Sequence, residues 1–329
     1  MYVLHLSKTT LAGVPRRIAS LINKYSDIKA RSATAIRTHI KFPEDIIIPY
    51  TQVEDCLPNI EYTEELDAEI KKADIIHIHN LPPFAPKSPG WGAIKSKPII
   101  QQFHSPPAWC ESFYKQVKGK VKVSKHLVIA QYQAVHLKIP VELVVVRNVI
   151  DINDDLLKPI IEKHKIPIVT YCPSNQRSKD KVAWAYKSGR EVKPVMQQLS
   201  KRGKCRYIFI SGVPFEQCLS RRQNANIHID EVSSGSYHLA SLEALSQGTL
   251  PVANIATWME KLIKEVTGCT VIPWQKATES TIKGVMVKLV SDQDRLLPRQ
   301  KACREWMENY WNPQLVLNDY LSVYKEISS

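Results

Sequence analysis

Residues 230–254 read DEVSSGSYHLASLEALSQGTLPVAN, and the rest of the chain is best read outward from them. The run at 225–229 just before predicts a buried strand. The turn at 233–236 then falls at the strand's carboxyl end, where open parallel sheets bind ligands. A helix follows, with Gly248 and then Pro251 marking its stop, and a second short strand lies beyond. Loop amides and the amino end of that helix can face an anion. Glu243, a turn or more inside the helix, is suited to accept hydrogen bonds from paired ribose hydroxyls. The stretch therefore fits a phosphate-and-ribose site. Strand, Gly/Ser turn and helix with one buried Glu also describe structural αβ units that bind nothing.

Short β-like runs recur between helical stretches at 2–6, 33–36, 75–78, 98–103, 126–130 and 142–146, an alternation that predicts a doubly wound parallel sheet. A second series, at 166–171, 206–211, 225–229, 250–253 and 270–272, restarts the pattern. Between them lies RNVIDINDDLLKP (147–159), polar and carrying Pro159, which reads as an inter-domain linker. Asp154 and Asp155 belong to it and are expected to be solvated. Residues 304–329 are helical in pattern around a break at Pro313, with Trp306, Tyr310, Trp311, Leu315, Leu317, Tyr320, Leu321 and Tyr324 as packing residues. The expected organisation is an α/β chain with a first domain at 1–150, a second at 151–308 and a terminal helix at 309–329.

A chain of 329 residues with 44% apolar composition can bury two αβ cores of ordinary size. No apolar run approaches the roughly 20 residues that span a bilayer, and Met1 leads directly into the strand-like YVLHLS. The expectation is a cytoplasmic protein, of a bacterium or a phage-infected host, without integral membrane association. Seven cysteines, odd in number and without CxxC spacing, predict reduced thiols. A net charge of +13 implies an anionic partner, whether nucleotide, nucleic acid or acidic membrane surface. YKQVKGKVKVSKH (114–126) carries five lysines and no acid, and 176–206 is also crowded with Lys and Arg. Such runs are either solvated faces or the walls of an anion-binding cleft.

The segment SSGSYHLASLEALSQGTLPVA (233–253) is similar to the donor-site signature of retaining glycosyltransferases with the GT-B fold, the family-four type, which include phage-type DNA glycosyltransferases. The resemblance implies two Rossmann-like domains facing a cleft, an acceptor domain followed by a nucleotide-sugar donor domain, and a C-terminal helix crossing back onto the first. The linker matches the NxID-type segment of that family. The family pattern pairs two glutamates: Glu243 matches the second, and the first falls on Gly235, so the ribose-binding carboxylate is kept and the other is lost.

Other segments extend the resemblance. SKTTLAGVPRR (7–17) is similar to the first-domain loop that faces the donor phosphates, with Gly13 for a tight turn, Pro15 for a helix start, and Arg16 and Arg17 as added positive charge or plain surface residues. IVTYCPSNQRSKDK (168–181) follows a strand with Arg177, Lys179 and Lys181, cations suited to a leaving diphosphate. The family places an Arg and a Lys there, commonly followed by Gly; here Asp180 follows Lys179, and Arg177 with Lys179 is the preferred pair, Lys181 in reserve. His104 follows an apolar strand, where family members place a histidine near the transferred sugar. His77 and His79 alternate on one strand face and read as core histidines. With no HExxH and no Cys/His pairing, no metal is expected.

The donor-binding set implied is Gly13, Lys181, Gly212, Ser236, Tyr237, His238, Leu239 and Glu243, with the base against SGVPF (211–215). The catalytic set is His104, Arg177 and Lys179. No cofactor is required beyond a nucleotide-sugar co-substrate, a UDP-sugar favoured. Transfer would be front-face and retaining, to a hydroxyl acceptor. The preferred acceptor is a 5-hydroxymethylated base in DNA, held by Arg16, Arg17, Lys118, Lys120 and Lys122. An envelope polysaccharide or lipid acceptor, or a non-catalytic nucleotide- or nucleic-acid-binding protein, are the alternatives.

Overall fold

A computed structural model describes residues 1–36, 42–51, 59–160, 164–173 and 189–328. The chain divides into two compact units, Met1–Val149 with Pro313–Ser329, and Ile150–Asn312.

In the first unit the elements run β1 (Tyr2–Thr9), α1 (Val14–Tyr25), β2 (Lys29–Ile36), β3 (Ile46–Ile47), β4 (Tyr50–Thr51), β5 (Asn59–Ile60), α2 (Glu64–Lys72), β6 (Ile75–His79), α3 (Gly90–Ala93), β7 (Ile99–Phe103), α4 (Pro107–Lys118), β8 (Lys125–Ile129), α5 (Tyr132–His136) and β9 (Leu143–Val146). Seven strands form one sheet in the order β3-β2-β1-β6-β7-β8-β9, and every pairing is parallel. The order reverses between β1 and β6, the switch point where loops leaving neighbouring strands diverge and open a crevice. Local sequence explains the helices. α1 buries Val14, Ile18, Leu21 and Ile22 on one stripe and begins with Pro15 in its first turn. In α2 the Thr63 side chain caps the Leu66 N–H, acids fill the first turn and Lys71 and Lys72 the last.

The two faces of this sheet differ in chemistry. Leu4, Leu6, Ala33, Ala35, Ile76, Ile78 and Ile99 point to one side and join an apolar core with Leu66, Ile70 and Val117. On the other side the register aligns His5 with Ser32 and His77, and Ser7 with Thr34 and His79, which in turn lies beside Gln102. All seven of these polar residues are fully buried.

The second unit contains β10 (Ile168–Tyr171), α6 (Gly189–Lys201), β11 (Arg206–Phe209), α7 (Phe215–Gln223), β12 (Ile227–Glu231), α8 (Leu239–Ser246), β13 (Leu250–Ala253), α9 (Thr257–Thr267), β14 (Gln275–Lys276), α10 (Ile282–Ser291) and α11 (Leu296–Tyr310). Its five strands are all parallel in the order β11-β10-β12-β13-β14, with the switch point between β10 and β12. One expected strand is displaced: residues 270–272 form a bend in which Val271 is 73% exposed, and the edge strand is Gln275–Lys276. Gly268, in the left-handed conformation, ends α9, and the chain needs the intervening residues to return to the sheet. The linker is also less polar in place than in sequence, since Ile150, Ile152 and Leu157 are buried, while the Asp155 side chain is 90% exposed.

The final helix, α12 (Pro313–Ser328), starts after the break at Trp311 and Asn312 and belongs to the first unit. Asp319 receives both Arg147 Nε (2.8 Å) and Nη2 (2.7 Å), and the Tyr320 hydroxyl donates to the Arg147 carbonyl. This bidentate pair ties α12 to the end of β9 with fixed geometry. Among the described residues no helix is long and apolar enough to cross a membrane.

Candidate functional site

In the second unit the segment 232–238 leaves β12 beside the switch point and leads into α8. Two acids at the end of β12 shape it. Glu231, fully buried, accepts from the Ser233 and Ser234 amides at 2.7 Å each and from both of their hydroxyls. Asp230 accepts from the His238 amide and the Ser241 hydroxyl, both at 2.7 Å, and so caps the start of α8 from outside the helix. The register of β12 against β13 shifts between Ile229 and Glu231, a bulge that lets consecutive acids serve the same loop.

The expected donor residues divide by environment. Ser236 and Tyr237 are fully buried; Tyr237 packs on Trp274 and Trp311, with ring centroids 5.5 and 6.1 Å away, so its ring belongs to the aromatic core beneath the loop. His238 places Nδ1 3.3 Å from Asp230, and Leu239 opens the helix. Gly212, after β11, has φ +67° and open space where a Cβ would stand. Gly235 has φ +79°, and a Cβ there would lie 3.2 Å from the Trp258 ring and 3.3 Å from Ala256. A glutamate at 235 would therefore be strained both in backbone and in contact, which is why this loop takes glycine. Arg177, Lys179 and Lys181 lie outside the described residues.

Glu243 lies in a helix buried on nearly every side, and its side chain is 7% exposed. Its Oε2 receives Arg222 Nη2 at 2.8 Å. Arg222, 1% exposed and in the last turn of α7, also donates through Nε to Gln247, whose amide donates to the Leu156 and Leu219 carbonyls. Cys172 Sγ lies 3.8 Å from both Arg222 Nη1 and His228 Nε2. The Cys218 thiol is lowered to about 7, chiefly by its hydrogen bond with Cys172 and with help from Arg222. Burial holds His228 down to about 3. Arg222, Gln247, Asp230, Glu231 and the two cysteines were not singled out in the sequence; the only local sign was the Asp-Glu pair ending a strand.

In the first unit His104 follows β7 at the carboxyl edge of the sheet. Its amide donates to Asn80 Oδ1 (2.8 Å) and its Nε2 lies 2.9 Å from His79 Nδ1. Asn80 holds φ +59°, a conformation that costs a non-glycine residue energy and persists here because its side chain also donates to Ser105. Behind His104 the imidazoles continue: His79 Nε2 meets His5 Nδ1 at 2.9 Å, and His77 Nδ1 meets the Tyr324 hydroxyl at 2.8 Å. Burial lowers His5 and His104 to about 3 and holds His77 and His79 well below their ordinary value, so all four rings are neutral near pH 7.

Gly13 is left-handed at φ +78°, and the space of its missing Cβ is filled by the Phe42 ring. Arg16 pairs with Asp45 at 3.3 Å, and Arg17 stands over the Phe42 ring. Both begin α1, on the same edge as His104. Lys118, Lys120 and Lys122 lie elsewhere: α4 has by then run the length of the sheet, and they precede β8 at its amino edge, opposite His104. The structure does not bring the lysine run together with the other expected acceptor residues. It does bring Trp109, 63% exposed in the first turn of α4, to the carboxyl edge.

The chain aligns over its whole length with solved structures. An α-glucosyltransferase in complex with UDP and a 13-mer DNA containing a central A:G mismatch has a TM-score of 0.66 at 10% identity, covering 100% of each chain. The fold is that of the GT-B glycosyltransferases. Sucrose-phosphate synthase from Thermosynechococcus elongatus has a TM-score of 0.58 at 12% identity, covering 99% of each chain, and Anabaena HepE in complex with UDP one of 0.56 at 13% identity, covering 99% of this chain and 100% of that one. No protein-family model and no curated protein matches the sequence.

Proposed function

We propose that this chain is a GT-B glycosyltransferase that binds a nucleotide sugar, a UDP-sugar favoured, in its second unit and transfers the sugar with retention to a hydroxyl acceptor. One observation carries the reading. The loop after β12 leaves the second sheet at its switch point, and before α8 it is held by two buried acids. The amino end of α8 favours the diphosphate. Arg177 and Lys179, with Lys181, supply the cations that steady the departing charge without a metal ion or other cofactor. Glu243 is the ribose acceptor, its carboxylate fixed through Oε2 by Arg222. Gly212 leaves room for the base. Neighbours of the same fold were solved with UDP and with UDP-glucose, which supports a uridine donor.

The acceptor we assign is a 5-hydroxymethylated base in DNA, flipped from the duplex. What supports it is that Arg16, Arg17, His104 and an exposed Trp109 all lie at the carboxyl edge of the first sheet; Trp109 offers a face on which a base can stack. One neighbour was solved with UDP-glucose and DNA containing an abasic site. In this assignment Lys118, Lys120 and Lys122, at the other edge, serve solubility.

Calorimetric titration with UDP-glucose tests the donor site. The folded Glu243→Gln variant should bind at least tenfold more weakly than wild type, about 1.4 kcal/mol or more. Unchanged affinity would leave Glu243 as a structural partner of Arg222 and remove it from the site. For the acceptor, incubation with UDP-glucose and hydroxymethylated duplex should add one hexose mass to the modified nucleoside, and no product with any nucleotide sugar would make the chain a binding protein.

A further inference from the structure

We propose that His5, His77 and His79 form a binding site for an imidazole-binding transition-metal ion, built into the first unit directly behind His104. One ring nitrogen from each lies within 4.8 Å of the others, and all three residues are fully buried. The second observation is a pair of unmet atoms. His5 Nε2 and His77 Nε2 are buried without any hydrogen-bond partner. Leaving a buried polar atom unsatisfied is costly, so two on adjacent rings of paired strands, with only the Gln102 side chain beside His77, point to an occupant.

The remaining bonds suit ligation. A neutral imidazole carries one N–H and one lone pair. If His5 Nδ1–H donates to His79 Nε2 and His77 Nδ1–H donates to the Tyr324 oxygen, both Nε2 atoms keep their lone pairs. Metal-ligating histidines use the other ring nitrogen in the same way, to fix tautomer and orientation. Taking His79 as the third ligand moves its Nε2 from His5 to the ion, so the His5 Nδ1–H gives up that acceptor while the His79 Nδ1–H stays with His104. Ligand nitrogens around a tetrahedral ion with bonds of about 2.0–2.1 Å stand roughly 3.4 Å apart, so the rings must close by on the order of 1 Å. Among the described residues no carboxylate is hydrogen-bonded to these rings, so ligation is by neutral nitrogen alone, which suits zinc and copper.

The absence of local spacing concealed this site. His5 and His77 are directly paired across β1 and β6, yet far apart in sequence, so no short motif records them.

The test is titration of the full chain, stripped by chelator and kept reduced, with Zn2+ and separately with Cu+, read by metal content after gel filtration and by the thermal midpoint. His5→Asn and His77→Asn are the informative variants, because the Asn amide keeps a group near Nδ1 and deletes Nε2. Wild type should retain one ion per chain that each variant loses, with affinity down at least a hundredfold, while near-ultraviolet dichroism shows both variants folded. The seven cysteines also bind these ions, so only the ion lost in the histidine variants counts. If wild type and variants retain equal metal, or wild type retains none, the cluster is a hydrogen-bonded core completed by water and the proposal fails. If a variant does not fold, the Nε2 resonances of His5 and His77 in wild type decide: perturbation by metal supports the site and indifference overturns it.

Discussion

The two units use the same alternation of parallel strand and helix but bury polarity in opposite ways. In the first, neutral rings line one face of the sheet and bond to one another or to a hydroxyl through one or both nitrogens: His104 to His79, His79 to His5, and His77 to Tyr324. In the second, charged groups gather at the end of β12 and around α8, where Glu231 is met by loop amides and hydroxyls and Glu243 by Arg222. Neutral groups can be buried in bulk because each asks for one or two hydrogen bonds. A charge asks for a partner of opposite sign or several donors at once, so it is placed where loop and helix termini supply them.

The largest effect expected from breaking this contrast is at Arg222. Arg222→Met leaves Glu243 buried without its counter-charge and should cost the second unit about 3–5 kcal/mol in urea unfolding. Arg222→Met with Glu243→Met should recover most of that loss, and a double variant as unstable as the single would show that the arginine acts through Gln247 instead.

Acid sharpens the comparison. The depressed rings of the first unit take up protons only on unfolding, between their ordinary value of 6.5 and about 3, so the unfolded chain binds more protons in that window. Stability is full above pH 6.5 and falls below it, by up to about 1.4 kcal/mol per pH unit for each such ring. In the second unit His228 is lowered in the same manner. With four clustered rings against one, hydrogen exchange of metal-free protein at pH 5 should show β1, β6 and β7 loosening before β10 and β12. The reverse order would mean that the imidazole cluster is not what limits the first unit in acid.

The smallest change is Tyr324→Phe, which deletes one hydroxyl from α12 and leaves His77 Nδ1 unmet. It should lower first-unit stability by about 1 kcal/mol and leave second-unit exchange unchanged. An effect on both units would show that α12 serves more than the sheet face it covers.

Much of the fold was legible because it rests on local patterns. Apolar runs of strand length, Pro15 at a helix start and Gly248 at a helix end report the chain's own backbone chemistry. The strand expected at 270–272 was misplaced since a β-branched triplet reads alike whether it pairs or merely bends on the way to the sheet. The loop before α8 was legible for a local reason, but its builders were not, because Arg222 meets Glu243 from another helix and Glu231 looks like any acid.

By itself the sequence determined the alternation of elements, the two-part organisation it implies and the loop before α8, all of which depend on neighbours a few residues apart. Only the tertiary structure decided that His5 stands beside His77, that Glu243 is paired with Arg222, that position 235 is left-handed and crowded, and that the lysine run lies on the edge opposite His104. These depend on strand order and register, which set contacts between residues remote in the chain and leave no periodic trace in it.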